Sequence, residues 1–316
     1  MAGGLSRKTA KKADISDNIR PLFPRVLIAL RPWSFPAALS PLFITFTILY
    51  QSSNLSIFDA TLFALGIVAL QGAANLLNSL CDYKNGLDKV DTAGDRTMVD
   101  ELVTKSEFPV LFVSVIGVWF LSFVWTLPIA SVMLKPYLVV YVMGVVVSVL
   151  YSLGSPPLKY IGFGDLVVFM SFGPLLVVAA VWACSLNPLA VDLRRIVIST
   201  VPAAILVVAI LHANNHRDSK MDEKNSARTV SVRLGIKMSM FYYWFLVLSP
   251  VVLSIAGGLM LPDSHGLMGG ALILPMSLNL CRLIRSPPRD IDAQTAKVML
   301  LYGLLASAGL LIFSSV

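Results

Sequence analysis

An all-α fold, a polytopic membrane bundle of nine transmembrane helices, is what the sequence predicts, and three observations predict it. Hydrophobic residues make up 56% of the 316-residue chain and charged ones only 14%, where a soluble domain carries about 25% charged residues. Apolar runs near 20 residues recur along nearly its whole length, and about 20 helical residues cross the roughly 30 Å hydrocarbon core of a bilayer. The basic residues, finally, fall in alternate connections. A helix satisfies its own backbone hydrogen bonds in lipid, and runs this long fit that solution better than tilted barrel strands.

Taken in order, residues 1–28 form a polar, basic arm carrying "SRKTAKK" and "DISDNIR". It has no leading apolar stretch, so no cleaved secretory signal is expected, and Asp14 and Asp17 weigh against a mitochondrial transit peptide. One helical domain, 29–316, follows. Its spans are expected at 34–51, 59–81, 107–127, 136–153, 164–184, 193–212, 238–258, 266–284 and 294–314. Short connections with Pro or Gly, such as "SLGSPP" and "LPDSHG", punctuate them. The three cysteines, Cys81, Cys184 and Cys281, are scattered and form no CxxC pair. They read as small apolar helix residues rather than a disulfide framework.

The net charge of +7 does not point to nucleic acid, because of where it lies. With a cytosolic N-terminus, one side of the bundle receives the arm and the connections near 82–106, 154–163, 213–237 and 285–293. With their flanks these hold 22 of the 25 Lys and Arg residues, and the other side keeps Lys135, Arg194 and Arg195. That is the positive-inside pattern, and part of the excess suits anionic lipid headgroups.

Two connections differ from the rest, about 82–107 and 214–237. Both are long, charged and on the same side, and loops of that length in a compact bundle tend to be functional. Each follows a span that ends on a polar face: Asn75, Asn78 and Asp82 in "NLLNSLCD", and Asn215, Asp218 and Asp222 in "NHRDSKMD". Both triplets run i, i+3, i+7, which is one helical face. Asn214, Asp218 and Asp222 also fall one turn apart. Carboxylates at that spacing repel each other, and unpaired charge at the edge of hydrocarbon is expensive. Magnesium relieves both, using one or two carboxylates and completing its shell with water and phosphate oxygens. Asp88 lies just beyond the first face. Basic residues are interleaved: Arg96, Lys159, Arg217 and Arg228. Metal with Arg and Lys is the usual way to hold a diphosphate. A diphosphate at the mouth of an apolar bundle suggests an isoprenoid tail lying in the bilayer.

Other chemistry fares worse. His212 and His216 stand four apart, like a zinc pair, but no Glu follows His212. Tyr151 and Ser152 are either substrate contacts or ordinary interfacial residues. No GxSxG elbow, P-loop or GxGxxG stretch occurs.

The segments "NSLCDYKNGLD" and "NNHRDSKMD" resemble the two aspartate-rich motifs of the UbiA superfamily of intramembrane aromatic prenyltransferases. "LRPWSFPAALSPL", "GDRTMVD", "LYSLGSPPLKYIGFGDL" and "FGPLLV" look like its menaquinone (vitamin K2) branch. The resemblance runs from about Ala29 to the C-terminus. It implies a nine-helix bundle with a central cavity capped by two cytosolic loops, and Mg2+-dependent transfer of a prenyl chain, geranylgeranyl expected, onto an aromatic quinol. It assigns Asn78, Asp82, Asp88, Asp218 and Asp222 to metal binding, the four acids being catalytic. It assigns Arg96, Tyr151, Lys159, Asn214, Asn215 and Arg217 to the diphosphate. The chain departs from the common pattern at Ser79, where many members carry Asp, and in the six-residue spacing of Asp82 and Asp88. An endoplasmic reticulum, Golgi or mitochondrial membrane is expected, with the arm and cap on the cytosolic side. Rival readings keep the fold and change the acceptor, for example to 4-hydroxybenzoate, or make the chain a cation or substrate transporter. Transporters place such acids near the bilayer midplane, whereas here they stand at span ends.

Overall fold

The computed structural model describes residues 21–84, 86, 97–129, 131–154 and 156–313. It is a helical bundle, and its elements follow the apolar runs. They are α1 (Leu22–Leu30), α2 (Pro36–Gln51), α3 (Ile57–Lys84), α4 (Glu107–Trp125), α5 (Leu134–Leu153), α6 (Gly164–Cys184), α7 (Leu193–Lys224), α8 (Val230–Met260), α9 (His265–Leu283) and α10 (Ile291–Ile312). Among the described residues, α3 to α10 are eight helices long and apolar enough to cross a membrane, and α1 with α2 makes a ninth, bent by 57°. The composition and the family likeness described below make this an integral membrane protein.

The bends have local causes. Arg31 adopts a left-handed conformation (φ 54°) as the C-cap of α1, its N–H donating to the Ile28 carbonyl, before the short turn Pro32–Ser34. Pro174 interrupts α6, where Ser171–Leu175 winds as a π-helix; a proline supplies no N–H to the ladder. Gly235 (φ 69°, ψ 162°) separates the first turn of α8 from its long apolar part, which is why the helix starts at Val230 rather than at 238.

Helix α7 is the axis of the bundle. Two-thirds of its apolar stretch is buried, against 6% for α4, which faces outward. Ala203, Leu206 and Val207 of α7 pack with Ile44 and Ile48 of α2, Tyr243 and Val247 of α8, and Met299 and Tyr302 of α10. Without water in the bilayer core, buried hydroxyls need partners inside the protein. Ser40 donates to the Met299 carbonyl at 2.9 Å, the Tyr243 and Thr295 hydroxyls meet at 2.6 Å, and Ser254 donates to the Tyr302 hydroxyl at 3.0 Å. Small residues let the helices close up: Gly266 and Gly309 touch backbone to backbone, and a Cβ on Gly303 would lie 2.7 Å from that of Ser40.

The connections gather at two ends. At one end Asn54 bonds Asn187, Ser56 bonds Cys184, and Arg195 bonds the Asp263 carbonyl. At the other, Arg228 N–H donates to the Tyr160 carbonyl at 2.8 Å, and Arg217 reaches Arg289 and Asp292. The long loop expected over 214–237 is a correction. Helix α7 continues to Lys224 and α8 begins at Val230, so 225–229 and the break at Gly235 are the non-helical parts of this stretch. The predicted face is thus carried on a continuous helix. The three cysteines are buried and unbridged.

Candidate active site

The first polar face lies on the last turns of α3, and the short 3₁₀ turn Leu158–Ile161 closes over it. Lys159 Nζ donates to Asp82 Oδ1 at 2.8 Å, to Asp82 Oδ2 at 3.1 Å and to Asn78 Oδ1 at 3.3 Å. The Tyr160 hydroxyl donates to Asp82 Oδ1 at 2.5 Å, and the Ser152 hydroxyl donates to Asn78 Oδ1 at 2.5 Å. Burial, then the Asp82 carboxylate, holds the Tyr160 hydroxyl well above the usual phenol range, and Asp222 and Tyr151 add to the effect. Tyr160 therefore stays a neutral donor. Asp82, Asp222, Tyr151 and Tyr160 thus share one electrostatic neighbourhood.

The second face follows the 3.6-residue period of α7. Arg217 grips Asp218 with two bonds, Nε to Oδ1 at 2.8 Å and Nη2 to Oδ2 at 2.7 Å. The same guanidinium donates to Asn214 Oδ1 at 2.6 Å, to the Arg289 carbonyl at 2.5 Å and to Asp292 Oδ1 at 3.1 Å. Asp222 is only loosely held, by the Thr229 hydroxyl at 3.5 Å. The charges of Asp218 and Asp82 both bear on Asp222, as does that of Lys159. The two faces thus lie at one end of the bundle, with Lys159 bonded to the first and within electrostatic range of Asp222 on the second.

Of the residues expected in the site, Asn78, Asp82 and Lys159 are joined directly, and Asp222, next to Asp218 on its face of α7, lies within electrostatic range of Asp82 and Lys159. Tyr151 lies beside Gly164 and within electrostatic reach of Asp82. Asn214 and Arg217 are joined to each other, and Arg217 is turned toward Asp292 on α10 rather than toward Lys159. Asn215 is partly buried on the adjacent position of α7. Asp88 and Arg96 lie outside the described residues. Tyr160 and Asp292 were not singled out from the sequence. Tyr160 adjoins Lys159, but Asp292 sits 75 positions from its partner, and nothing local marks it.

Among the described residues no three of His, Cys, Asp and Glu stand close enough together to hold a metal ion. The donors present are carboxylate and amide oxygens, the hard ligands that suit magnesium. That ion takes one or two protein carboxylates and draws the rest of its shell from water and phosphate. A three-acid cage is not required, and the donor set fits.

The UbiA prenyltransferase family model matches residues 38–308. "UbiA prenyltransferase domain-containing protein 1" of Homo sapiens is 31% identical over 300 residues, covering 90% of this chain and 83% of that protein. The Gallus gallus protein of the same name is 30% identical over 294 residues, covering 90% and 84%. The fold is also that of a UbiA homolog from Archaeoglobus fulgidus solved with DMAPP and Mg2+ (TM-score 0.60, 16% identity, 90% of this chain and 99% of that one). A second likeness is the apo UbiA homolog from Aeropyrum pernix K1 (TM-score 0.61, 15% identity, 93% and 98%). With the two acidic faces in place and the family matched along most of its length, the chain belongs to the UbiA prenyltransferase family.

Proposed function

We propose that this chain transfers a prenyl group, geranylgeranyl by expectation, from its diphosphate to an aromatic naphthoquinol-type acceptor, making a menaquinone. The observation that carries the reading is that Asp222, beside Asp218 on the second face, lies within electrostatic range of Asp82 and of the Lys159 bonded to it, at one end of an apolar bundle. The Archaeoglobus fulgidus homolog solved with DMAPP and Mg2+ supports a prenyl diphosphate and a divalent cation as ligands. The vitamin K2 acceptor class rests on "LYSLGSPPLKYIGFGDL" and "FGPLLV", which resemble the menaquinone branch.

Asn78, Asp82, Asp218 and Asp222, with Asp88 from the first motif, would hold magnesium. When bound, magnesium supplies positive charge beside the diphosphate. Lys159 stands next to the same oxygens and takes up charge growing on the departing group. Tyr160, kept neutral, has a hydroxyl to donate in the same place. Arg217 fixes Asp218, and through it the register of the second face. Arg96, Tyr151, Asn214 and Asn215 complete the diphosphate contacts in this reading. The apolar bundle beneath excludes water from an allylic cation, which aromatic faces steady by roughly 0.5–2 kcal/mol each. The membrane is of the endoplasmic reticulum, Golgi or mitochondrion, with the acidic end on the cytosolic side.

The test is mass spectrometry of the quinones formed by purified protein in liposomes with Mg2+. Prenyl diphosphates of several lengths are paired with menadiol, dihydroxynaphthoate and 4-hydroxybenzoate. Prenylated naphthoquinol supports the reading. Product only from 4-hydroxybenzoate moves the chain to a ubiquinone-type acceptor, and cation flux with no prenylated product makes it a transporter.

A further inference from the structure

Below the diphosphate clamp lies a polar pair that the account so far leaves unused. His212 stands six residues before Asp218 on α7, about 9 Å deeper at 1.5 Å per residue, and is fully buried. Facing it is Asp165, 6% exposed, in the first turn of α6. Asp165 Oδ2 lies 3.5 Å from His212 Nδ1. Among the described residues, neither carboxylate oxygen of Asp165 nor His212 Nδ1 has a hydrogen-bond partner. An ionised carboxylate buried this way is expensive unless something supplies a proton or a donor.

The other side of the imidazole fixes which nitrogen carries the hydrogen in the neutral ring. Nε2 lies 3.0 Å from the Ser239 carbonyl oxygen and 2.9 Å from Ser239 Oγ. A carbonyl oxygen only accepts, so Nε2 carries the hydrogen, and in the neutral ring Nδ1 is a bare acceptor. Two acceptors then face each other across 3.5 Å.

The surroundings preserve that arrangement. Tyr242 is edge-on to His212, with ring centroids 4.8 Å apart, and is close enough to Asp165 to interact with it. His216 meets the far side of Ser239 Oγ at 2.7 Å, and Ser231 meets it at 2.8 Å. Asp165 and Asp82 both act electrostatically on Tyr151. Gly164, the neighbour of Asp165, packs on the clamp itself. A Cβ there would lie 3.6 Å from Lys159 Cα and 3.8 Å from the Tyr151 ring. The pair therefore lies inward along α7 from the acidic face and next to the clamp residues Lys159 and Tyr151.

We propose that Asp165 and His212 together are the proton acceptor of the aromatic substitution, an assignment that rests on the function proposed above. Attack of the acceptor on the prenyl carbon leaves one ring carbon bearing both the new C–C bond and a hydrogen. That C–H bond breaks, its electron pair restores the aromatic ring, and the proton enters the Asp165–His212 gap. It follows the diphosphate out to water when the products leave. A proton acceptor placed in this way contributes about 10²–10⁴-fold to rate.

The experiment uses full-length protein in liposomes with Mg2+, geranylgeranyl diphosphate and menadiol carrying either hydrogen or deuterium at the alkylated ring carbon. The wild type is expected to turn over both at the same rate. Asp165→Asn is expected to lower kcat by about 10²-fold or more, to leave KM for the prenyl diphosphate unchanged, and to reveal a primary isotope effect as C–H cleavage becomes limiting. Asp165→Glu recovers part of the rate. An Asp165→Asn enzyme that keeps most of its kcat, or one slowed without an isotope effect, overturns the proposal and leaves the pair a packing feature. If that variant does not fold, His212→Gln decides by the same readout, an isotope effect supporting the pair and its absence rejecting it. No product from the wild type strikes the acceptor assignment alone, and the comparison is then made with 4-hydroxybenzoate deuterated at its alkylated carbon.

Discussion

Lys159 binds both carboxylate oxygens of Asp82, at 2.8 and 3.1 Å, and so ties the 3₁₀ turn Leu158–Ile161 to the last turn of α3. A lysine is a compact point charge with three donors on a flexible stem. It holds an acidic cluster together and remains able to share its donors with phosphate oxygens.

Lys159→Met is expected to lower kcat/KM by about 10²-fold or more, the scale of losing one charge-stabilising donor. The Mg2+ dependence should also change, since Asp82 loses its neutralising partner. Initial rates in liposomes over a range of Mg2+ concentrations check both. Arginine at 159 is not expected to rescue fully, because a planar guanidinium does not place its donors where the ammonium does.

Arg217 is held on four sides, by Asp218, Asn214, the Arg289 carbonyl and Asp292. Asp292→Asn removes one charged partner at the start of α10. The expected result is a loss of roughly 1 kcal/mol of stability, read as a lower Tm in detergent, with a raised KM for prenyl diphosphate and a smaller change in kcat. Asp292→Glu should restore both.

Tyr160 stays protonated because burial and the Asp82 charge hold its hydroxyl above the usual range. A group that does not ionise between pH 6 and 9 cannot shape the rate there. Tyr160→Phe should therefore lower kcat while leaving the form of the pH–rate profile as in the wild type. A limb of the profile that disappears in the variant contradicts this.

The backbone contact between Gly266 and Gly309 leaves no room for a side chain. Gly309→Val should force α10 away from the 3₁₀ segment of α9 and abolish monodisperse protein on size-exclusion chromatography. Gly117→Ala on α4, where a Cβ meets nothing within 4 Å, should change stability by no more than about 0.5 kcal/mol.

Much of this was legible in the sequence, for reasons that can be named. Spans were visible because lipid demands about 20 apolar helical residues. The two acidic faces were visible because Asn78 and Asp82, like Asp218 and Asp222, repeat at helical spacing. Helix ends were less legible. Polar residues past 212 read as loop, whereas α7 runs on to Lys224 on one polar face. Partners across helices were not legible at all. Neither the Tyr160–Asp82 bond, 78 positions apart, nor the Asp165–His212 approach leaves a local pattern. His212 drew notice only as half of a zinc pair, because sequence shows its neighbour on the same helix and not the carboxylate on α6.

The most direct test of the central claim, that the two helix ends hold one metal–diphosphate cargo, is a binding cycle with a non-reacting geranylgeranyl thiodiphosphate. Its affinity is measured calorimetrically with and without Mg2+ in the wild type, Asp82→Asn, Asp222→Asn and the double variant. The account predicts Mg2+-dependent binding that either single substitution largely removes, with the double variant little worse than each single one. Binding indifferent to Mg2+, or two losses that simply add, would show that Asp82 and Asp222 serve separate sites.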